Sequence, residues 1–163
     1  MSISTYEASA PVFVRGFRVL ADLLDKAEAH GGADLIDARL APDMLTLAGQ
    51  IQRASDTAKF AIARVADVTP PSFDDKEATF AELRQRIAQT VAWIESVDRE
   101  ALEAGAARDL SRKIGPVERT FTGTTYLLTF AIPNFFFHVT TAYDILRHKG
   151  VAIGKLDYLG FNA

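Results

Sequence analysis

The chain has 163 residues, a formal net charge of −3 and no cysteine, and these values exclude several classes of protein. Without cysteine there is no disulfide, no catalytic thiolate and no zinc–thiolate site. An acidic chain with scattered Lys and Arg does not favour nucleic-acid binding, which typically needs a basic face. The simplest expectation at this length is a single domain over 1–163 with a self-sufficient core.

No segment of the sequence is typical of a membrane span or a secretory signal. The most apolar stretch, 126–137, is shorter than the roughly 20 apolar residues that a bilayer requires. Near the N-terminus, Arg15 and Arg18 interrupt the apolar run that a signal peptide would need. The sequence therefore predicts a cytoplasmic protein that does not contact membranes.

The first predicted helix covers residues 5–30 and is defined by an apolar stripe. Phe13, Phe17 and Leu20 recur at spacings of four and three residues, which places them on one face of a helix. The two glycines at 31–32 are expected to end this helix, because glycine is favoured just beyond helix C-termini.

The second predicted helix begins near Pro42 and Asp43, residue types that suit the first turn of a helix. At about 100° per residue, Gln50 lies roughly 60° from the centre of the apolar stripe, so that its amide can point inward. Asp56 and Lys59 fall on other faces, three residues apart, and are predicted to form an exposed ion pair.

The third predicted helix covers 75–97 and follows a Thr-Pro-Pro-Ser sequence that breaks helices. The next segment, 98–120, has the least regular pattern of the chain. Within it, Gly115 and Pro116 favour a turn, so that a short strand or a hairpin is an alternative to irregular structure.

The sequence leaves two alternatives for the start of the last helix. Pro133 and Gly150 suit the first turn and the C-terminal end, which predicts a helix over 133–150. In the other alternative, 126–132 forms the first turns and Pro133 lies at a kink. The tail, 151–163, is predicted to pack loosely or as an irregular strand.

Four long amphipathic segments joined by shorter connections determine the predicted fold class. They predict an all-α protein, a four-helix bundle with an irregular segment before the last helix. The sequence contains no internal repeat and no low-complexity tract that would indicate another architecture.

The last helix combines a polar stripe with three consecutive aromatic residues. Asn134, His138 and Thr141 recur at helical spacing, and polar groups buried in this way must find hydrogen-bond partners. His138 can therefore line a ligand pocket or be hydrogen-bonded within the core. The rings of Phe135–Phe137 point around the helix in different directions, so one of them is left for an interface, which predicts a homodimer.

The chain resembles a bacterial family of DinB-like proteins of unknown function, within the DinB/YfiT-like superfamily of metalloenzymes. The resemblance rests on FTGTTYLLTFAIPNFFFHVTTAYDILRHKGV and IGKLDYLG, preceded by APDMLTL and QIQRASDTAK. It extends over nearly the whole chain, and HVTTAYDILRHKGV is its most specific part. It implies a DinB-like four-helix bundle that is often a homodimer.

The resemblance also implies where a pocket lies. In that superfamily three histidines hold a divalent metal, one from the second helix and two from a His-x-x-x-His pair in the last. When the family pattern is aligned on Leu146-Arg147 of the last helix, its two histidine positions fall on Asn134 and His138. The second-helix position then corresponds to Gln50. A carboxamide oxygen is a weak ligand for zinc or nickel, so the site is expected to be degenerate and no cofactor is expected.

Three functions remain open at this point. The first is a module that binds or senses a small polar ligand through Gln50, Asn134 and His138. The second is a metal-dependent enzyme in which His138 is the main ligand of Zn²⁺ or Ni²⁺, and the third is a structural, stress-related dimer. No nucleophile elbow, phosphate loop, dinucleotide fingerprint or His-Glu-x-x-His motif occurs, so the sequence predicts no catalytic residue.

Overall fold

The structure, a computed structural model, describes residues 3–161 and is mostly helical with one two-stranded sheet. The elements in chain order are α1 (Ala10–His30), a 3₁₀ turn (Ala33–Asp37), α2 (Leu47–Ala66), α3 (Phe80–Ser96), α4 (Arg99–Ala104), β1 (Asp109–Ile114), β2 (Val117–Thr122), α5 (Gly123–Tyr126), a π-helical segment (Leu127–Ala131), α6 (Ile132–His148) and α7 (Lys155–Tyr158). The predicted all-α class is therefore too narrow, because it omits the sheet.

The four long helices α1, α2, α3 and α6 enclose the core. Helix α1 packs against α3 and α6, and α2 packs against the same two helices. The buried residues of all four helices belong to one continuous apolar cluster. This packing places α2, which carries Gln50, directly beside α6, which carries His138.

Helix α2 begins later than predicted because its N-terminal cap is Thr46. The Thr46 hydroxyl accepts a hydrogen bond from the backbone N–H of Gly49 at 3.1 Å, so the first helical residue is Leu47. The prediction of a start near Pro42 and Asp43 is wrong. These two residues lie in the connection that leads to the helix.

Helix α3 likewise starts at Phe80 rather than at residue 75. Thr79 and Glu82 form a reciprocal capping box, in which the Thr79 hydroxyl accepts from the backbone N–H of Glu82 and the Glu82 carboxylate accepts from that of Thr79. The residues before this cap run as an extended connection, and several of them contact α2.

The segment before the last helix is an ordered hairpin and not irregular structure. Strands β1 and β2 pair antiparallel around Gly115 and Pro116, the turn that the sequence offered as an alternative. Gly115 has a φ of 59°, a backbone conformation that glycine adopts without strain. In this register Arg112 lies opposite Arg119.

The last helical run starts at Gly123, well before Pro133. Thr122 caps it by accepting a hydrogen bond from the backbone N–H of Thr125 at 3.2 Å. Proline has no N–H to donate and its ring crowds the carbonyl four residues earlier. The wider π-helical turn just before Pro133 accommodates both defects, so the run continues to His148.

The three consecutive phenylalanines of α6 have different environments. Phe135 is fully buried and its ring packs edge-on against Phe13 and Phe17, with ring centroids 5.0 Å apart in both pairs. Phe136 is half-buried against the core, whereas Phe137 is 55% exposed. One ring of the triplet therefore lies outside the core, as the phase of the helix predicts.

The tail contains a short helix, α7, where loose packing or an irregular strand was predicted. The Arg147 side chain donates to the carbonyl of Ile153 at 2.8 Å, and the hydroxyls of Tyr158 and Thr140 are 2.9 Å apart. The last two residues of the predicted tail, 162–163, lie outside the described residues. Within 3–161, no helix is both long enough and apolar enough to cross a bilayer.

Candidate functional site

Helices α2 and α6 bring Gln50 and His138 into direct contact. The Gln50 Oε1 and the His138 Nδ1 are 2.8 Å apart, and the two residues are 1% and 9% exposed. The Gln50 Nε2 donates to the carbonyl of Leu45 at 3.3 Å, which turns the amide oxygen toward the imidazole. Because an amide oxygen only accepts, Nδ1 carries the hydrogen and Nε2 of a neutral ring is left as an acceptor.

Asn134 lies one helical turn before His138 and binds the opposite helix through a different residue. Its Nδ2 donates to the Thr57 hydroxyl at 2.8 Å. In the part of the chain that the structure describes, it makes no hydrogen bond to Gln50 or His138. The three predicted pocket residues therefore join α2 to α6, with two in direct contact and the third linked through Thr57.

Asn134 and His138 form part of the wall of a cavity of about 220 Å³. Gln50 lies behind His138 and does not line the cavity. Helix α2 supplies half of the wall with the side chains of Arg53, Asp56, Thr57, Phe60 and Arg64. The other half comes from the hairpin and the last helical run, with Arg112, Tyr126, Phe130, Asn134 and His138.

The α2 wall has a simple origin in the sequence. Arg53, Thr57, Phe60 and Arg64 follow one another at spacings of four, three and four, so they share one face of the helix. The sequence prediction missed them because it followed only the apolar stripe of α2. A search for polar residues at the same helical spacing would have found this face.

The wall from the last helical run depends on the π-helical segment. The side chains of this wall are spaced four residues apart, at Tyr126, Phe130, Asn134 and His138. In an α-helix each step of four residues rotates the side-chain direction by about 40°, which adds up to about 120° over three steps. The wider π-helical turn holds one more residue and so reduces the drift. The rings of Tyr126 and Phe130 stack with centroids 5.7 Å apart. Regular helical periodicity gives no signal for this alignment.

Arg112 reaches the cavity from β1 of the hairpin. Its guanidinium carbon is 5.0 Å from the centroid of the Phe130 ring, within the range of a cation–π contact. No sequence pattern predicted this placement, because 98–120 has no clear periodicity. The hairpin thus contributes a charged side chain to a site otherwise built by helices.

His138 is a neutral imidazole at pH 7. Burial lowers its pKa, and the positive charge of Arg53 lowers it further, to about 4. Two other arginines, Arg64 and Arg112, line the same cavity. Since the ring stays neutral, its Nε2 keeps a lone pair that can accept a hydrogen bond or bind a metal ion.

Next to the cavity lies a compact network of ion pairs, which we call the Arg86 cluster. Its members are three cationic and three carboxylate side chains: Arg53, Lys59, Arg86, Asp56, Asp75 and Glu77. Although burial raises the pKa of Glu77, hydrogen bonds from Arg86 and Gln52 keep it below its usual value. The charges of the cluster therefore balance.

The predicted ion pair of Asp56 and Lys59 exists but is not exposed. Their charged atoms are 3.1 Å apart, while the Lys59 side chain is only 2% exposed. The reason is the connection before α3, which carries Asp75 and Glu77 over α2 and covers this face. Arg86 from α3 then binds both carboxylates, at 2.7 and 2.9 Å.

Comparisons with known proteins place this chain in a family. A family model for a domain of unknown function, DUF1993, matches residues 5–159. Among solved structures, the chain is similar to the crystal structure of a DinB family member protein from Shewanella denitrificans, with 40% sequence identity and a TM-score of 0.86. That similarity covers 95% of this chain and 91% of the other. The comparison with curated proteins found no match.

The chain is therefore a DinB-like protein. More narrowly, it belongs to the DUF1993 family, whose model spans almost all of it. The resemblance inferred from the last helix and from QIQRASDTAK is confirmed. In residues 3–161, no group of three or more His, Asp or Glu side chains is arranged to hold a metal ion.

Proposed function

We propose that this protein is a binding or sensing module for a small polar ligand, which occupies the cavity beside His138. The observation that carries this proposal is the state of His138, a neutral imidazole anchored through Nδ1 to Gln50 in the wall of a cavity. An imidazole fixed in one tautomer presents a defined acceptor to a ligand. The size of the cavity, about 220 Å³, suits a molecule smaller than a drug-sized ligand.

The cavity offers several kinds of contact. His138 Nε2 and the Asn134 amide oxygen are acceptors, because Asn134 uses its Nδ2 to bind Thr57. The stacked rings of Tyr126 and Phe130 provide a flat apolar surface on another side. A few polar groups set among aromatic rings are typical of sites that select small molecules.

The donor set around His138 does not fit a transition metal. One imidazole and two carboxamides are neutral, and the Gln50 oxygen already accepts a hydrogen bond from the imidazole. The cavity wall also carries the guanidinium groups of Arg53, Arg64 and Arg112, which repel a cation. For these reasons the proposal contains no metal-dependent step, and the metalloenzyme remains the alternative.

The proposal also includes the arrangement of the four long helices. We infer that α1, α2, α3 and α6 form a DinB-like four-helix bundle, since each of them packs against two others around one core. The hairpin then closes one end of the α2–α6 groove through Arg112. The ligand lies at that groove and not inside the apolar core.

Thermal denaturation with a panel of small acids, amides, alcohols and amines tests the proposal. A ligand present at 100 times its Kd stabilises the folded protein by about 2.7 kcal/mol, which raises the Tm of a chain of this size by several degrees. Asn134→Leu removes a polar group and fills the cavity. Gln89→Leu makes the same kind of change at an exposed position of α3 outside the cavity.

We expect at least one compound to stabilise the parent and Gln89→Leu, but not Asn134→Leu. If no compound of any charge stabilises the parent, the cavity is not a binding site and the structural dimer becomes the preferred function. If Asn134→Leu responds like the parent, the ligand binds elsewhere.

A further inference from the structure

The charges around the cavity do not balance once the Arg86 cluster is set aside. Among the described residues, one carboxylate lines the cavity, that of Asp56, and it is paired with Arg53, Lys59 and Arg86 within that cluster. Arg64 and Arg112 also line the cavity, and neither has a carboxylate within ion-pair distance among residues 3–161. Within the described part of the chain, two guanidinium charges of the wall therefore have no anionic partner.

Aromatic rings, not carboxylates, hold these two arginines in place. Arg64 donates to the Tyr126 hydroxyl at 3.1 Å, and its guanidinium carbon is 5.1 Å from the centroid of the Phe60 ring. Arg112 lies over the Phe130 ring, and its Nε is buried without a hydrogen-bond partner among the described residues. Stacking on a ring orients a guanidinium while leaving its N–H groups free, and a buried N–H without a partner is costly.

The hairpin register adds a second source of positive charge. Arg112 faces Arg119 directly across the two strands, and like charges at opposed positions of a sheet destabilise it. Arg119 is exposed to solvent, which screens much of this repulsion. The register therefore adds positive charge beside Arg112, while the free donors of Arg64 and Arg112 carry the inference.

We propose that the cavity binds a small oxyanion, a carboxylate or a phosphate, between Arg64 and Arg112. This inference rests on the proposed function and specifies the chemical class of its ligand. Guanidinium groups match both oxyanions because they donate two parallel hydrogen bonds in a planar fork. The rest of the ligand faces Asn134 and His138, whose free acceptors select groups that donate hydrogen bonds. Arg53 plays a lesser part, because Asp56 and Asp75 already bind it.

Calorimetric titration with matched probes tests this inference at low ionic strength. Benzoate, benzamide and benzylamine share one ring and differ in charge, and the ring suits the surface formed by Tyr126 and Phe130. Inorganic phosphate is titrated separately, so that the two sources of oxyanion are distinguished. Arg64→Gln and Arg112→Gln remove the proposed contacts. Arg108→Gln is the control, since Arg108 precedes β1, binds Asp67 at 3.3 Å and does not line the cavity.

We expect benzoate or phosphate to bind at least tenfold more tightly than benzamide, with no binding of benzylamine. Each of Arg64→Gln and Arg112→Gln should weaken this binding at least tenfold, and Arg108→Gln should leave it within twofold. If Arg64→Gln does not fold, the result for Arg112→Gln alone tests the inference. Arg112 lies on the hairpin, outside the helical core, so its substitution should not prevent folding.

Two results overturn the inference, and they differ in what they say of the proposed function. If benzamide and benzoate bind equally, or if neither arginine variant weakens anion binding, the ligand is not an oxyanion held by Arg64 and Arg112. The proposal of a small-ligand binding module is unaffected by that result. If no probe binds and no compound of the wider panel raises the Tm, both the oxyanion site and the small-ligand module are contradicted.

Discussion

At the scale of single residues, the site depends on how one amide holds one imidazole. Gln50 is nearly inaccessible, and its two polar atoms are both used, one toward Leu45 and one toward His138. The pair therefore fixes the tautomer of His138 without any metal ion. The family resemblance implies an imidazole at this position, and we infer that the amide of Gln50 orients His138 where that imidazole would bind a metal.

The lowered pKa of His138 makes stability depend on pH. The unfolded chain binds a proton at His138 below the ordinary pKa of 6.5, whereas the folded chain does so only below about 4. Stability from this residue is thus complete above pH 6.5 and is lost as pH falls toward 4. We expect a loss of about 1–2 kcal/mol over this range, which is less than the pKa difference alone would give, because His138 borders a cavity and solvent screening reduces the effect.

Chemical denaturation between pH 4 and pH 7 measures this effect. His138→Gln keeps a polar side chain but cannot titrate, so it serves as the reference for the acidic residues that titrate in both proteins. The parent should lose more stability than His138→Gln as pH falls. Parallel curves for the two proteins would show that His138 does not remain neutral in the folded state.

A second prediction concerns the three-histidine metal site that the family resemblance implies at the positions of Gln50, Asn134 and His138. Replacing both amides by imidazole, with Gln50→His and Asn134→His, should create a three-histidine site together with His138. We expect Zn²⁺ or Ni²⁺ to bind this double variant at least about 100-fold more tightly than the parent, because each imidazole is a far stronger ligand than a carboxamide. Calorimetric titration of both proteins, purified without an affinity tag, measures the difference.

The control is His138→Ala in the double variant, which should abolish the new binding. Tight stoichiometric binding by the parent, lost on His138→Ala, would instead favour the metalloenzyme. If the double variant does not bind metal, the three positions do not converge as the packing of α2 and α6 indicates.

At this scale, the sequence predicted only those features that depend on the position of a residue around a single helix. The inward direction of Gln50 and the polar stripe of Asn134 and His138 follow from positions on single helices. The hydrogen bond between Gln50 and His138 depends on how two helices pack. Arg64 and Arg112 were missed because arginines are common at protein surfaces, and the signal that marks them is the absence of nearby carboxylates among residues 3–161 of the folded chain.

At the scale of elements, the hairpin contributes Arg112 to the cavity wall. It is anchored at its base, where Gly123 donates to the carbonyl of Arg108 and Thr124 to that of Ala106, both at 2.9 Å. The chain passes very close to α2 there. A Cβ at Gly105 would lie 1.9 Å from the Val65 carbonyl oxygen.

Gly105→Ala should therefore destabilise the protein by about 2–3 kcal/mol, because a backbone atom cannot move aside as a flexible side chain does. The same variant should weaken ligand binding, since it displaces the hairpin that carries Arg112. Equilibrium denaturation gives the first quantity and calorimetry the second.

The matched control is Gly154→Ala, where the nearest heavy atom to an added Cβ is 3.8 Å away. We expect this control to change stability by less than about 1 kcal/mol. Similar losses at both glycines would mean that helix-end effects, and not the contact with Val65, determine the cost.

The sequence predicted that the four long helices exist, but it misplaced the first residues of α2 and α3. Apolar stripes identified all four long helices, because periodicity over several turns averages out local exceptions. The starts of α2 and α3 depend on single caps, Thr46 and Thr79, which the sequence offers beside several other candidates. The π-helical segment has no periodic signature at all, and it is this segment that aligns Tyr126 with His138.

At the scale of the whole molecule, charge is distributed unevenly around a net value of −3. The Arg86 cluster is balanced, while the cavity wall retains the positive charges of Arg64 and Arg112. A chain of acidic composition can therefore hold a local site for anions. Net charge predicted that nucleic acid is not a partner, and it carried no information about the sign of the charge in the cavity.

Assembly is the remaining question at this scale. Phe137 is 55% exposed on α6, and Leu128, just before that helix, is 54% exposed. Burying the exposed Phe137 ring against a second copy of the chain would be favourable, because it removes apolar area from water. We expect a homodimer with Phe137 in its interface, and light scattering at micromolar concentration should give twice the mass of the chain.

Phe137→Ser should shift the protein toward the monomer by removing most of the apolar area of that side chain. The control is Val117→Ser at the tip of the hairpin, where a similarly exposed apolar residue, 48% accessible, lies on a different element. A dimer that persists in Phe137→Ser but dissociates in Val117→Ser would place the interface on the hairpin, next to the Arg112 wall of the cavity. A monomeric parent at micromolar concentration would contradict the dimer and leave Phe137 as an ordinary exposed side chain.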